Sequence, residues 1–342
     1  MSLAKPTVSC IHGEWRRPHN DLQFQQVGGG HKAIHDDATA AEIGFGAAPI
    51  HGTVHWSQFL PLLLEAFGPE WFETGSISVH FRTPVSHLEP VRAFMATPDP
   101  TKKAQQLGIW MEHVDGRVVL EGTASVGLKK GEATTMAESK LASIKPVEGS
   151  LLFVRHPIGT KSLNVERSVR INHTDQISPL FPFSLKQKLE IITEFSPWFT
   201  EEAGHTSPWG RAILPPECLN AIMLGAINGA RTDWPAQSDE DMALLNEAGH
   251  RTPVGLFGGC EVFLHAGPVF VDEEYEITRE LVGAGETPKT EFKWTRTFLK
   301  EAKTGKLVAE MTLQDMMLKG SFEGYDTMRH KSDAMAAKRA RL

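Results

Sequence analysis

Two histidines and two aspartates fall within one short stretch: His31, His35, Asp36 and Asp37. Near neutral pH an imidazole can give or take a proton. His35 is the first choice for such an acid/base. The plainer alternative is a loop histidine that bonds the backbone. His31, four residues earlier, could share that proton, against the plainer alternative of two solvated loop histidines. Asp37 suits a helix cap, because its carboxylate accepts from free N–H groups one turn on. Further along stands His51-Gly52, at the head of an apolar run. The Gly52 N–H, aided by the positive end of a helix, can hold a developing carbonyl oxyanion. Lacking Cβ, Gly52 also allows close approach of a ligand, or simply tight helix–sheet packing. His51 reads as structural. His55 lies one turn beyond it, but two histidines without an acidic third ligand do not make a metal site, so no metal is expected. Glu65 falls near the helix end, where a surface position is expected. Gly28-Gly29-Gly30 lacks the Lys-Ser/Thr helix of a phosphate loop. There is no Gly-x-Ser-x-Gly elbow of a serine hydrolase.

These residues need elements to hold them. An imperfect alternation over Leu22 to Val27 suggests a short strand, and Asp37 to Ile43 a short helix stopped by Gly44. From Gly52 to Phe67, Val54, Trp56, Phe59, Leu60, Leu63, Leu64 and Phe67 would fill a buried helical stripe. Pro61 must kink or break that helix, and Gly68-Pro69 ends it. Strands are expected around Ile77 to Phe81, Val91 to Ala96, Gln106 to Val114 and Arg117 to Val126, with Asp115-Gly116 as a type I′ hairpin turn. Lys129 to Glu148 reads as a surface connector. The plan then repeats: a strand from Val165 to Ile171, then a helix opened by Pro215-Pro216 with Leu219, Ile222, Met223 and Ile227. Strands follow over Val254 to Leu264, Val269 to Leu281, Glu291 to Leu299 and Leu307 to Leu318. Thr232 to His250 reads as an acidic surface loop. The segment boundaries are 1–128, a connector over 129–163, 164–320, and a charged tail over 321–342. A helix with an apolar stripe and a sheet with one apolar face can bury each other, which gives an α+β class.

The chain has 342 residues, enough for two units of ordinary size. A net charge of −7 without a basic stripe argues against nucleic acid. Three cysteines, Cys10, Cys218 and Cys260, are widely spaced and fit a reducing compartment better than a disulfide framework. No stretch is long and apolar enough to span a bilayer, and Met1 to Gln25 lacks the apolar core of a secretory signal. A cytoplasmic protein is expected. Ala340-Arg341-Leu342 resembles a variant of the C-terminal peroxisomal address, against the plainer alternative of a solvated basic tail.

In order and spacing, Gly29, His35, Asp37, Ala41, Gly44, Gly46, His51 and Gly52 resemble the motif of the MaoC-like R-specific enoyl-CoA hydratases. Phe81-Arg82 with Pro84-Val85, and Gly267-Pro268-Val269, are similar to that family's strand corner. The resemblance covers most of the first half and the second half in outline. It implies a double hotdog: two tandem domains, each a long central helix wrapped by an antiparallel sheet. It implies a lyase of the hydratase or dehydratase type on an acyl thioester such as a CoA ester, with no separate cofactor. His35 would be the acid/base and the Gly52 N–H the oxyanion donor, with His31 and Asp37 nearby. His51, His55, Trp56, Phe45 and Asp36 would face substrate. Since hotdog folds pair, the tandem halves supply one internal dimer, and a homodimer of chains remains open.

One departure bears on mechanism. Gly30 occupies the position of the family's catalytic Asp, Lys32 that of its Asn and Ala33 that of its Pro. The carboxylate half of the acid/base pair is missing there, and His31 and Asp36 are the candidates to substitute for it. Two rivals therefore stand beside the hydratase: a hotdog acyl-CoA thioesterase, and a non-catalytic thioester-binding protein or partner subunit.

Overall fold

A computed structural model describes residues 9–21, 34–35, 37–42, 44, 46–145, 147, 150–152, 156–163, 165–178, 181–224, 234–248 and 253–339. His31, Asp36, Phe45, Gly30, the expected strand at 22–27 and the Ala340-Arg341-Leu342 terminus lie outside these residues. The first half contains β1 (Cys10–His12), α1 (Asp37–Glu42), α2 (Val54–Ser57), α3 (Leu60–Phe67), α4 (Trp71–Thr74), β2 (Ser76–Phe81), β3 (Val91–Ala96), β4 (Gln105–His113) and β5 (Val118–Val126). Next come α5 (Met136–Ala142), β6 (Glu166–Val169), β7 (Gln176–Ser178), β8 (Phe181–Ser184), α6 (Leu185–Ile191), α7 (Pro216–Leu224) and α8 (Asp239–Ala248). The chain closes with β9 (Gly255–Leu264), β10 (Tyr275–Glu286), β11 (Thr290–Glu301), β12 (Leu307–Leu318) and α9 (Tyr325–Arg339).

Among the described residues, ten strands form one sheet in the order β1-β3-β4-β5-β2-β9-β12-β11-β10-β6. The order reads the same from both ends if β2 is matched with β9, β5 with β12, β4 with β11, β3 with β10 and β1 with β6. The antiparallel pairing of β2 with β9, from Ser76↔Phe263 to His80↔Gly259, joins the halves at the centre. Each half lays helices on one apolar sheet face, and a single core cluster runs from Trp56, Phe59 and Leu63 to Leu219, Ile222 and Leu313. This is the expected α+β double hotdog architecture.

The central helix of the first half is broken, as Pro61 requires: α2 ends at Ser57 and α3 starts at Leu60. Pro61 has no N–H to give the Ser57 carbonyl, so i→i+3 bonds such as Gln58 N–H to His55 O and Phe59 N–H to Trp56 O turn the chain instead. The Asp115-Gly116 turn is not type I′. Only Gly116 has positive φ (80°), and its N–H bonds the His113 carbonyl, so a type I turn followed by a left-handed glycine closes the hairpin. The connector is not merely a surface strap: α5 is started by a Thr135/Glu138 capping box, and the Ala137 N–H donates to the Ser78 hydroxyl. The acidic stretch around 239–248 is helix α8, whose Leu244 is buried with Leu151, Phe322 and Met328 of α9.

Candidate functional site

The loop that carries His35 is tied to the first turn of the central helix. Asp37 Oδ1 accepts from the Ala48 N–H at 2.9 Å, folding the chain back. Gly44, with φ of +87°, makes the reversal, a backbone state that glycine adopts without strain. The Ile50 N–H then bonds the Val85 carbonyl, docking the helix start onto the corner after β2. On the other side, the Asn20 amide donates to the His35 carbonyl.

The half-buried His35 ring places Nδ1 2.7 Å from the Pro49 carbonyl oxygen. A carbonyl oxygen can only accept, so Nδ1 carries the proton and Nε2 keeps its lone pair in the neutral ring. The ring meets His51 edge to face, with centroids 6.1 Å apart. His51 is buried, takes a hydrogen bond between its Nδ1 and the Thr53 hydroxyl, and sits against Phe181 and Phe257 of the second half. Burial, then the nearby His35 and Lys188, hold its pKa well below the usual histidine range, so it is neutral at physiological pH. Gly52 lies two residues ahead of α2, and the space where a Cβ would stand meets the Phe81 ring at 2.8 Å. The close approach that glycine permits is therefore used, on that side, by the protein's own β2.

His55 and Trp56 point into the protein. His55 is 2% exposed and Trp56 fully buried, and neither lines the cavity described next. Asp37 holds the loop, as above. Glu65 is exposed on α3. Among the described residues, no group of three or more His, Cys, Asp or Glu is placed to hold a metal, and no helix is long and apolar enough to cross a membrane.

A cavity of about 10 Å³, enough for one water-sized group, opens where the halves meet. His51, Thr53 and Val54 form one part of its wall. The rest comes from Asp21 and from Phe181, Phe183, Lys188 and Glu217 of the second half. Lys188 is buried and pairs with Asp21 and, at 2.5 Å, with Glu217. Burial disfavours its charge, but the two carboxylates outweigh that and hold its pKa above the usual lysine range. Burial pushes the Glu217 carboxyl up, against the opposing pull of Lys188.

Reading the sequence singled out His51 in this cavity but missed Asp21, Lys188 and Glu217. One signal was available. Residues 216–223 of α7 are buried all round, and a helix of that kind seldom carries a charge without a function or a partner. The pairing itself joins positions 167 residues apart in the chain and leaves no local trace.

Two antiparallel half-sheets, each backed by its own helix, with a site between them, define a double hotdog protein. No family model and no curated protein matches the sequence. Among solved structures, the chain is similar to one described as a MaoC domain protein dehydratase from Chloroflexus aurantiacus: 11% identity, TM-score 0.52, with 91% of this chain and 95% of that chain covered. A MaoC-like dehydratase aligns at 13% identity and TM-score 0.47, over 90% of this chain and 97% of that one. A Mycobacterium tuberculosis protein with a double hotdog fold aligns at 10% identity and TM-score 0.49, over 92% and 97%. The first likeness establishes the fold: this chain has the double hotdog fold found in a MaoC domain dehydratase.

Proposed function

We propose that the chain is a hydratase or dehydratase acting on an α,β-unsaturated acyl thioester such as a CoA ester, with His35 as acid/base. The observation that carries this reading is the Nδ1 bond of His35 to the Pro49 carbonyl, just ahead of the helix start, which leaves the lone pair of the neutral ring on Nε2. In the hydration direction, His35 Nε2 takes a proton from water as its oxygen bonds the β-carbon. The double-bond electrons move toward the thioester oxygen, where the Gly52 N–H would donate. The enolate then collapses and its α-carbon takes the proton back from His35 Nε2, so one water supplies both hydroxyl and hydrogen; dehydration is the reverse. The expected partners are a small acyl thioester and no nucleic acid.

The test is water addition to a panel of enoyl-CoAs by wild type and His35→Ala. The variant is expected to lose about 10²–10⁴-fold in kcat, the usual contribution of a positioned acid/base. Equal rates would remove His35 from the mechanism. Release of free CoA thiol from saturated acyl-CoAs would instead favour a thioesterase. A second reading, a thioester-binding protein without turnover, is favoured by Gly30, which leaves no carboxylate at the family's position. Calorimetric binding of a CoA ester with no turnover on either assay would support it.

A further inference from the structure

The side chain that holds the His35 loop is itself held from the other half. We propose that Lys188 of α6 is a positioning residue for His35: it fixes Asp21, and with it the Asn20 amide that bonds the His35 carbonyl. The inference rests on the reading of His35 as acid/base.

The contacts run in one line from Lys188 to the ring. The segment before Asp21 lies along the corner after β2: Arg16 exchanges backbone bonds with Val91, and the Leu88 N–H bonds the Pro18 carbonyl. At Asn20 this segment is pinned on both flanks. Its own N–H donates to His87 Nδ1 at 2.9 Å, within the first half. The next residue, Asp21, accepts from Lys188 of the second half. With both flanks fixed, the Asn20 Nδ2 donates to the His35 carbonyl at 3.0 Å. The ring of the same histidine bonds the Pro49 carbonyl through Nδ1 at 2.7 Å. His35 is therefore held at its backbone by Asn20 and at its ring by Pro49.

Lys188 suits the task of anchor. Its side chain and that of Asp21 are both buried, so little water competes for the pair. Its second carboxylate, Glu217 of α7, lies at 2.5 Å and also engages the Ser57 hydroxyl at the end of α2. The ammonium is thus fixed to α7 and, through Glu217, to the central helix of the first half. A buried ion cluster often stabilises a fold no more than packed apolar groups of the same volume would, but it holds its members to one geometry. The geometry held here is that of the segment bonded to His35.

The test uses the full chain: wild type, Asn20→Ala, Lys188→Met and the isosteric Asp21→Asn. Asp21→Asn leaves Lys188 and Glu217 as a balanced pair, so it carries the test if Lys188→Met fails to fold. One readout needs no substrate. Ring-nitrogen NMR, with the His35 resonances assigned by their loss in His35→Ala, reports which nitrogen holds the proton. Wild type should show the Nδ1–H form, and the variants a mixture of both tautomers. The other readout is hydration of enoyl-CoAs. The variants are expected to lose about ten- to a hundredfold in kcat, as a small misplacement of a reacting group does, with KM within about twofold of wild type. Asn20→Ala/Asp21→Asn should lose no more than the worse single variant, because both changes cut the same link.

A lowered melting temperature with wild-type ring resonances in Asp21→Asn would overturn the role and leave the ion pair a structural one. Additive losses in the double variant would also overturn it, as would a tautomer shift with unchanged hydration. A tautomer shift in the variants of a wild type that hydrates nothing would support the positioning of His35 and overturn the hydratase reading instead.

Discussion

Individual residues at this site do two jobs, and the two can be separated by measurement. Gly52 heads the central helix, and a Cβ there would stand 2.8 Å from the Phe81 ring. Gly52→Ala is therefore expected to cost about 1–3 kcal/mol, the usual penalty for overpacking. In a Phe81→Ala background the same change should cost much less, which urea denaturation of the four proteins measures as a coupling energy. Strict additivity would show that Phe81 is not what excludes a side chain. His55 makes a different point. Burial lowers its pKa to about 3 from an ordinary 6.5. The unfolded chain therefore binds a proton that the folded chain refuses, and stability must fall as pH drops from 6.5 toward 3. A fully buried group of this kind contributes about 1.4 kcal/mol per pH unit within that window. His55→Leu should flatten the pH dependence of urea stability by about that slope, whatever the offset at neutral pH. Parallel curves for wild type and variant would show that His55 takes up its proton while folded.

At the scale of elements, one carboxylate anchors two segments at once. Glu291 of β11 accepts from the Ser150 hydroxyl, the Leu151 and Leu152 N–H groups, the Tyr325 hydroxyl and the Arg329 guanidinium. It clamps the connector and α9 onto the sheet. Glu291→Gln should cost about 1–3 kcal/mol, the range for leaving buried partners unsatisfied. Hydrogen exchange should speed up over α9 and around Ser150 while β4 and β5 stay protected. Unchanged exchange in α9 would show that it is held elsewhere.

The same scale shows what could be read from the sequence. Strand β3 coincides with the expected Val91–Ala96, where burial alternates residue by residue, and β12 with Leu307–Leu318, where Val308 to Gln314 are all buried. The helix opened by Pro215-Pro216 is α7, since proline suits a first turn. Elements whose reason lies elsewhere in the chain were missed. α8 and α5 look polar in isolation, and each is helical through caps and a few contacts such as Leu244 on α9 and Ala137 on Ser78. At the site, the pairing of His35 with the helix start came from the family resemblance, and the ring bonds the Pro49 carbonyl just ahead of it. Asp21, Lys188 and Glu217 were not, because only the meeting of the halves puts them together.

The whole molecule is built so that its halves depend on each other. β2 and β9 share a ladder in the middle of one sheet, and the core is continuous across it. Arg16 of the first half pairs with Glu194 of the second at 2.5 Å, and the Trp209 indole donates to Glu73. Breaking one half would strand a sheet edge and open a core face on the other, a cost that each half alone is poorly placed to meet. The two halves should therefore unfold in a single step. Pulse proteolysis or hydrogen exchange in rising urea should give the same midpoint for peptides of β4 and of β11. Two separated midpoints would show that the β2–β9 ladder joins the halves without coupling them. The consequence reaches the site, since His51 at the start of one central helix packs on Phe181 and Phe257 of the other half. If one half melted first, turnover should vanish with that earlier transition; if the halves are coupled, turnover and the whole sheet should disappear together.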